Sequence, residues 1–137
     1  MTSDNAKCED RIDSHLKGRM ADLRKLWNAE TKGKPHPELG SFGEYGLSFD
    51  YVAAHTFEDQ KEGYFRYQLS WGGPSDEFRY FTDAQMNISR VEYWFLDWFD
   101  GAHRVLAGKN YELVAEIFED FFKDLGVCEK VLNDATD

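Results

Sequence analysis

Two stretches decide the fold of this chain: Tyr64-Phe-Arg-Tyr-Gln-Leu-Ser-Trp-Gly-Gly-Pro-Ser-Asp-Glu-Phe-Arg-Tyr-Phe81 and Val91-Glu-Tyr-Trp-Phe-Leu-Asp-Trp-Phe-Asp100. In the first, Phe65, Tyr67, Leu69 and Trp71 fall on one side of an extended chain, and Tyr64, Arg66, Gln68 and Ser70 on the other. A period of two with β-branched or aromatic residues marks a strand. Gly72-Gly73-Pro74-Ser75 supplies backbone freedom and then a fixed φ, so a hairpin loop follows, and Glu77 to Thr82 reads as its returning strand. The next strand runs about Ile88 to Trp98, with Val91, Tyr93 and Phe95 on one face and Arg90, Glu92, Trp94, Leu96 and Trp98 on the other. Asp97, Asp100 and Gly101 then break the pattern.

Working outward, Tyr45, Leu47, Phe49 and Tyr51 alternate with Gly46, Ser48 and Asp50, which predicts an earlier strand; the polar run His55 to Gly63 connects it onward. Upstream, Ile12, Leu16, Met20, Leu23 and Trp27 recur at spacings of three and four, the signature of an amphipathic helix. Ser3 or Asp4 can cap it, and Gly33 with Lys34-Pro35-His36-Pro37 ends it. Downstream, Asn110 can cap a last helix with the stripe Leu113, Val114, Ile117, Phe118, Phe121 and Leu125, and Gly126 is its natural stop. Residues 127–137 read as a polar tail.

The expected architecture is an α+β domain covering 1–137. An N-terminal helical region (1–34) and a C-terminal helix (110–126) pack on one face of a four-stranded antiparallel meander (44–99). At 137 residues the chain has the size of one domain, and a chain that long buries roughly two thirds of its unfolded surface. The core should be rich in large rings, because the chain carries 11 Phe, 7 Tyr and 4 Trp.

Charge narrows the function. The net charge is −10. Residues 1–34 hold 8 Lys/Arg against 6 Asp/Glu, whereas 35–137 hold 8 against 20. An acidic body beside a mildly basic N-terminal segment repels phosphate, which disfavours direct contact with nucleic acid or an anionic membrane and favours basic protein surfaces. Solubility alone also accounts for such a balance. The first residues are polar with no apolar core of a signal peptide, and no apolar run reaches the ~20 residues that span a bilayer. A cytoplasmic location follows as the expectation, with Cys8 and Cys128 reduced. Pairing of these two cysteines stays open.

The blocks Arg66–Arg79 and Glu92–Gly101 resemble small acidic proteins encoded on phages and plasmids. The resemblance implies a setting: mobile elements encode many acidic proteins that block host defence enzymes by occupying nucleic-acid channels. It carries over no functional residues.

Three readings remain. In the first, the protein is a non-enzymatic acidic binding protein and a mobile-element inhibitor that imitates nucleic-acid charge. Its contact residues would be Asp76, Glu77, Glu112, Glu116, Glu119, Asp120 and Asp124, set against a basic surface of a nucleic-acid-handling protein. In the second, Asp97-x-x-Asp100-x-x-His103 at a strand end holds a divalent metal or does acid–base work; a turn with a cap is the competing account. In the third, an aromatic pocket lined by Trp71, Tyr93, Trp94 and Trp98 binds a small ligand. His15, His36 and His55 are scattered, and no His-x-x-x-His or Cys-x-x-Cys spacing, serine-nucleophile signature or phosphate-binding glycine loop occurs. No cofactor is expected, and the chain is expected to be a monomer or homodimer.

Overall fold

The computed structural model describes residues 7–136. A long helix α1 (Cys8–Thr31) and a single helical turn α2 (Phe42–Tyr45) precede five strands: β1 (Ser48–Val52), β2 (Tyr64–Ser70), β3 (Ser75–Thr82), β4 (Ile88–Asp97) and β5 (Asp100–Val105). Helix α3 (Gly108–Ile117), a π-helical segment (Phe118–Lys123) and α4 (Val127–Thr136) close the chain. The strands form one antiparallel sheet in the order β1-β2-β3-β4-β5.

The α+β class and the antiparallel meander agree with the sequence reading, and four details change. First, the sheet has five strands and spans 48–105: the chain turns tightly at Trp98-Phe99, and Asp100 pairs back onto Asp97. Second, Tyr45 lies in α2 and not in the first strand. Third, the helix expected over 110–126 starts at Gly108 with Ala107 at its cap position, while Asn110 instead accepts a hydrogen bond from Arg24 Nη2 at 2.8 Å. It changes to π geometry at Phe118 and stops at Gly126, whose φ is 81°. Fourth, the expected polar tail is helix α4, which lays Val127, Val131 and Leu132 against the core and buries Cys128. The proposed caps Ser3 and Asp4 lie outside the described residues.

Alternation along the strands sorts the sheet into two faces. Phe65, Tyr67, Phe78, Tyr80, Tyr93 and Phe95 point to the helices and form the core with Ile12, Leu23, Ile117 and Phe118. Rings interlock across the layers, with Phe49 stacked on Phe122 at 3.9 Å and Phe118 tilted on Tyr80 at 4.6 Å between centroids. Such pairs add roughly 0.5–1.5 kcal/mol each beyond the area they bury.

Helix α1 is fastened to the sheet by polar groups that carry it across the far strands. The N–H of Cys8, one of the donors a helix leaves unpaired at its start, is taken by the Asp100 carboxylate at 2.7 Å. Arg11 Nη1 donates to Asp97 at 2.6 Å. Arg19 forms a two-pronged pair with Asp76, from Nε at 2.7 Å and Nη2 at 3.0 Å. Cys8 and Cys128 are both free thiols, and burial pushes the latter's pKa up to about 12. No helix among the described residues is long and apolar enough to cross a membrane.

Candidate functional site

Because β3 and β4 pair with Ser75 opposite Leu96, the β2–β3 loop and the β4–β5 turn lie side by side at one end of the sheet. A Cβ added to Gly73 would sit 3.6 Å from Asp97 Oδ1. The sequence blocks Arg66–Arg79 and Glu92–Gly101 are thereby brought together. Three large rings project from this end into solvent: Trp71 is 76% exposed, Trp98 89% and Phe99 103%. Rings of this size are ordinarily buried, and a cluster of them in the open marks a contact surface.

One of these rings is held out on a strained backbone. Trp98 has φ of 56°, in the left-handed region where a bulky residue is uncommon and costs about 1–2 kcal/mol. The turn is clamped on both sides: Asp97 is tied to Arg11, whose guanidinium sits 4.9 Å from the centre of the Phe95 ring, and Asp100 is tied to the start of α1. The Cys8 N–H beside Asp100 holds that carboxyl below its ordinary pKa. The β4–β5 turn is therefore a braced support for Trp98 and Phe99, with Trp71 on the neighbouring loop.

The metal reading loses its geometry. Asp97 and Asp100 face α1, whereas His103 sits opposite Trp94 on the other face of the sheet and stacks on its ring at 4.5 Å. No group of three His, Cys, Asp or Glu side chains suited to a metal ion occurs among the described residues. A strand places residues an odd number apart on opposite faces, and Asp100 and His103 are three apart on β5.

The four-ring pocket is likewise not assembled. Tyr93 is in the core, donating its hydroxyl to Asp76 at 2.6 Å. Trp71 and Trp98 stand at the tip, and Trp94 lies on the outer face of the sheet.

The expected acidic contact residues divide. Asp76 and Glu77 are each 2% exposed, on opposite faces of β3, and are consumed internally: Asp76 by Arg19, Ser70 and Tyr93, and Glu77 by Arg79 Nε at 2.7 Å. They cannot face a partner in this arrangement. Glu112, Glu116, Asp120 and Asp124 are exposed along α3 and the segment after it, and Glu119 is half-buried, 3.3 Å from Lys123. Glu116 also accepts the Trp27 indole N–H at 2.6 Å.

Sequence reasoning missed a further assembly on the outer face of the sheet. There Arg79 is sandwiched between Trp94, 3.9 Å from the ring centre, and Tyr64, 4.7 Å away. Its signal was an arginine and two rings at outward positions of three neighbouring strands, legible only once the register is known. No family model matches the chain, and neither a curated protein nor a solved structure matches it.

Proposed function

We propose that the protein is an acidic binding protein that docks on a basic surface of a larger protein, with Trp71, Trp98 and Phe99 as its anchor. The observation that carries this reading is the three exposed rings at one end of the sheet, two of them on the braced β4–β5 turn. Rigid aromatic side chains deliver large contact area at low entropic cost and dominate interface energetics. The net charge of −10 supplies the sign of the partner. Cationic side chains of that surface would lie over the ring faces, an attraction worth about 0.5–2 kcal/mol each. The exposed carboxylates of Glu112, Glu116, Asp120 and Asp124 would steer the encounter. The partner class that fits is a nucleic-acid-handling protein whose positive groove this chain fills as a charge mimic. The phage and plasmid resemblance supports that setting.

The test compares variants for capture of a partner held at low salt. Trp98→Ser/Phe99→Ser should weaken binding by about 100-fold or more, the scale of two interface anchors, with a melting temperature equal to or above the parent's. Glu112→Lys/Asp120→Lys/Asp124→Lys should chiefly slow association and flatten the salt dependence. Undiminished binding by the tip variant would remove the anchor and with it this reading.

A further inference from the structure

We infer that the outer face of the sheet, on the side away from the helices, binds a small planar molecule carrying a single carboxylate. Between that face and the connection Phe57–Glu62 lies a concavity of about 610 Å³. That is within the ~300–1,000 Å³ of small-molecule sites. Its floor is a continuous stack: His103 on Trp94 at 4.5 Å, Arg79 between Trp94 and Tyr64, Tyr64 on Phe81 at 5.5 Å, and Arg90 3.8 Å from the centre of Phe81. Phe57 stands at the rim.

The hydrogen-bonding balance of this site is one-sided. Its deeper acceptors are taken: Glu92 receives the Trp94 indole N–H and Arg90 Nε, both at 2.9 Å. Glu62, on the covering loop, receives both Nη groups of Arg90 at 3.3 and 2.8 Å. Donors are left over. Arg79 gives its Nε to Glu77, and among the described residues its Nη groups meet no protein acceptor. The hydroxyl of Tyr64, which lines the cavity, is buried without a partner. A buried polar group left unmatched costs about 1–3 kcal/mol, so a visitor that brings acceptor oxygens is rewarded. A guanidinium fixed between two rings presents its remaining N–H groups in a plane, the geometry that recognises a carboxylate.

The rest of the lining limits the charge and shape of that visitor. Glu58 and Asp59 line the cavity beside Lys61, and these carboxylates oppose a polyanion such as a nucleotide phosphate chain. Phe57, Phe81 and the edges of Trp94 and Tyr64 offer apolar surface to a flat body. One carboxylate on a ring satisfies each of these conditions. The site is separate from the aromatic tip, and the inference stands whether or not the tip binds a partner.

Titration with indole-3-carboxylate and benzoate, followed through the Trp94 indole N–H in ¹⁵N-labelled protein, tests it; Trp94→Phe assigns that signal. The expected result is a saturable shift with the parent protein, weakened about tenfold or more in Arg79→Gln, the scale for loss of a charge-assisted pair. Since Arg79→Gln also strips Glu77 of its partner, Tyr64→Phe provides a variant that removes only an unpartnered hydroxyl. It should fold as the parent does and bind several-fold more weakly. No saturable shift with either acid at millimolar concentration would overturn the assignment, as would affinities unchanged in both variants. Benzamide binding as tightly as benzoate would overturn the carboxylate.

Discussion

Asp76→Ala will lower the stability of the fold by about 3–5 kcal/mol, the cost of breaking a buried pair by removing one partner. Asp76 lies on β3 with its carboxylate turned to the helices, where it accepts from Arg19 Nε at 2.7 Å, Arg19 Nη2 at 3.0 Å, Tyr93 Oη at 2.6 Å and Ser70 Oγ. Its loss strands the Tyr93 hydroxyl in the core and leaves the partly buried Arg19 guanidinium with the Tyr45 hydroxyl as its remaining acceptor. Burial by itself would raise the pKa of this carboxyl. The hydrogen bonds from Arg19, Ser70 and Tyr93 outweigh it, so the group sits below its ordinary value of 3.8. A depressed folded pKa contributes stability that is present above the unfolded value and disappears as the pH falls through the folded one. Denaturant melts of Asp76→Ala against the parent check the first point, and melts of the parent and Asp76→Asn at several pH values check the second. The gap between them should be full near pH 7 and shrink below about pH 4. A gap that stays constant to pH 2 would show that the charge of Asp76 contributes nothing.

Phe118→Ala should cost a similar amount, about 3–5 kcal/mol, and lower the melting temperature by about 10 °C or more for a chain of this size. Phe118 is fully buried, and its ring meets Tyr80 at 4.6 Å, Phe65 at 5.6 Å and Phe49 at 6.4 Å. It opens the π-helical segment and continues the buried stripe of Val114 and Ile117. A spacing of four turns both Phe118 and Phe122 inward, with Phe121 wedged between Phe42 and Trp27. The half-buried Phe121 makes a matched control: Phe121→Ala should cost clearly less. Equal losses at the two positions in calorimetry would mean that the segment does not hold the register described.

Strands β2, β3 and β4 were legible because large rings alternate with polar residues along them. Strand β5 was not. Along Gly101-Ala-His-Arg-Val105 only Ala102 is buried in the core, and Arg104 on the same face reaches Asp13 and Glu9 of α1, so no apolar alternation marks the strand. Helix α4 was overlooked because Glu129, Lys130 and Asp134 dominate its composition, although Val127, Cys128, Val131 and Leu132 do repeat on one helical face. The register change at Phe118 has no sequence marker, as a phenylalanine-rich run suits α and π geometry equally. At the candidate site both turns were identified, but not that they adjoin, which depends on the β3–β4 pairing. Nor was the exposure of Trp71, Trp98 and Phe99, since apolar rings are assigned to a core by default. Asp76 and Glu77 misled because acidic residues after Gly-Gly-Pro look like loop. Their partners Arg19 and Arg79 lie 57 and 2 residues away, and a pairing of the first kind cannot be read from local pattern.

The strand order has a kinetic consequence. Every strand bonds to its neighbour in sequence, so the sheet can zip hairpin by hairpin with only short loops to close, and loop closure is the slow, entropically opposed part of assembly. The polar seams of α1 are of another kind, joining residues 92, 86 and 57 positions apart. A folding nucleus built from β2, β3 and β4 would form before those seams do. Weakening them would then leave the rate of folding nearly untouched and hasten unfolding. The first helix in the chain would be among the last pieces to settle, and the lifetime of the native state would rest on it.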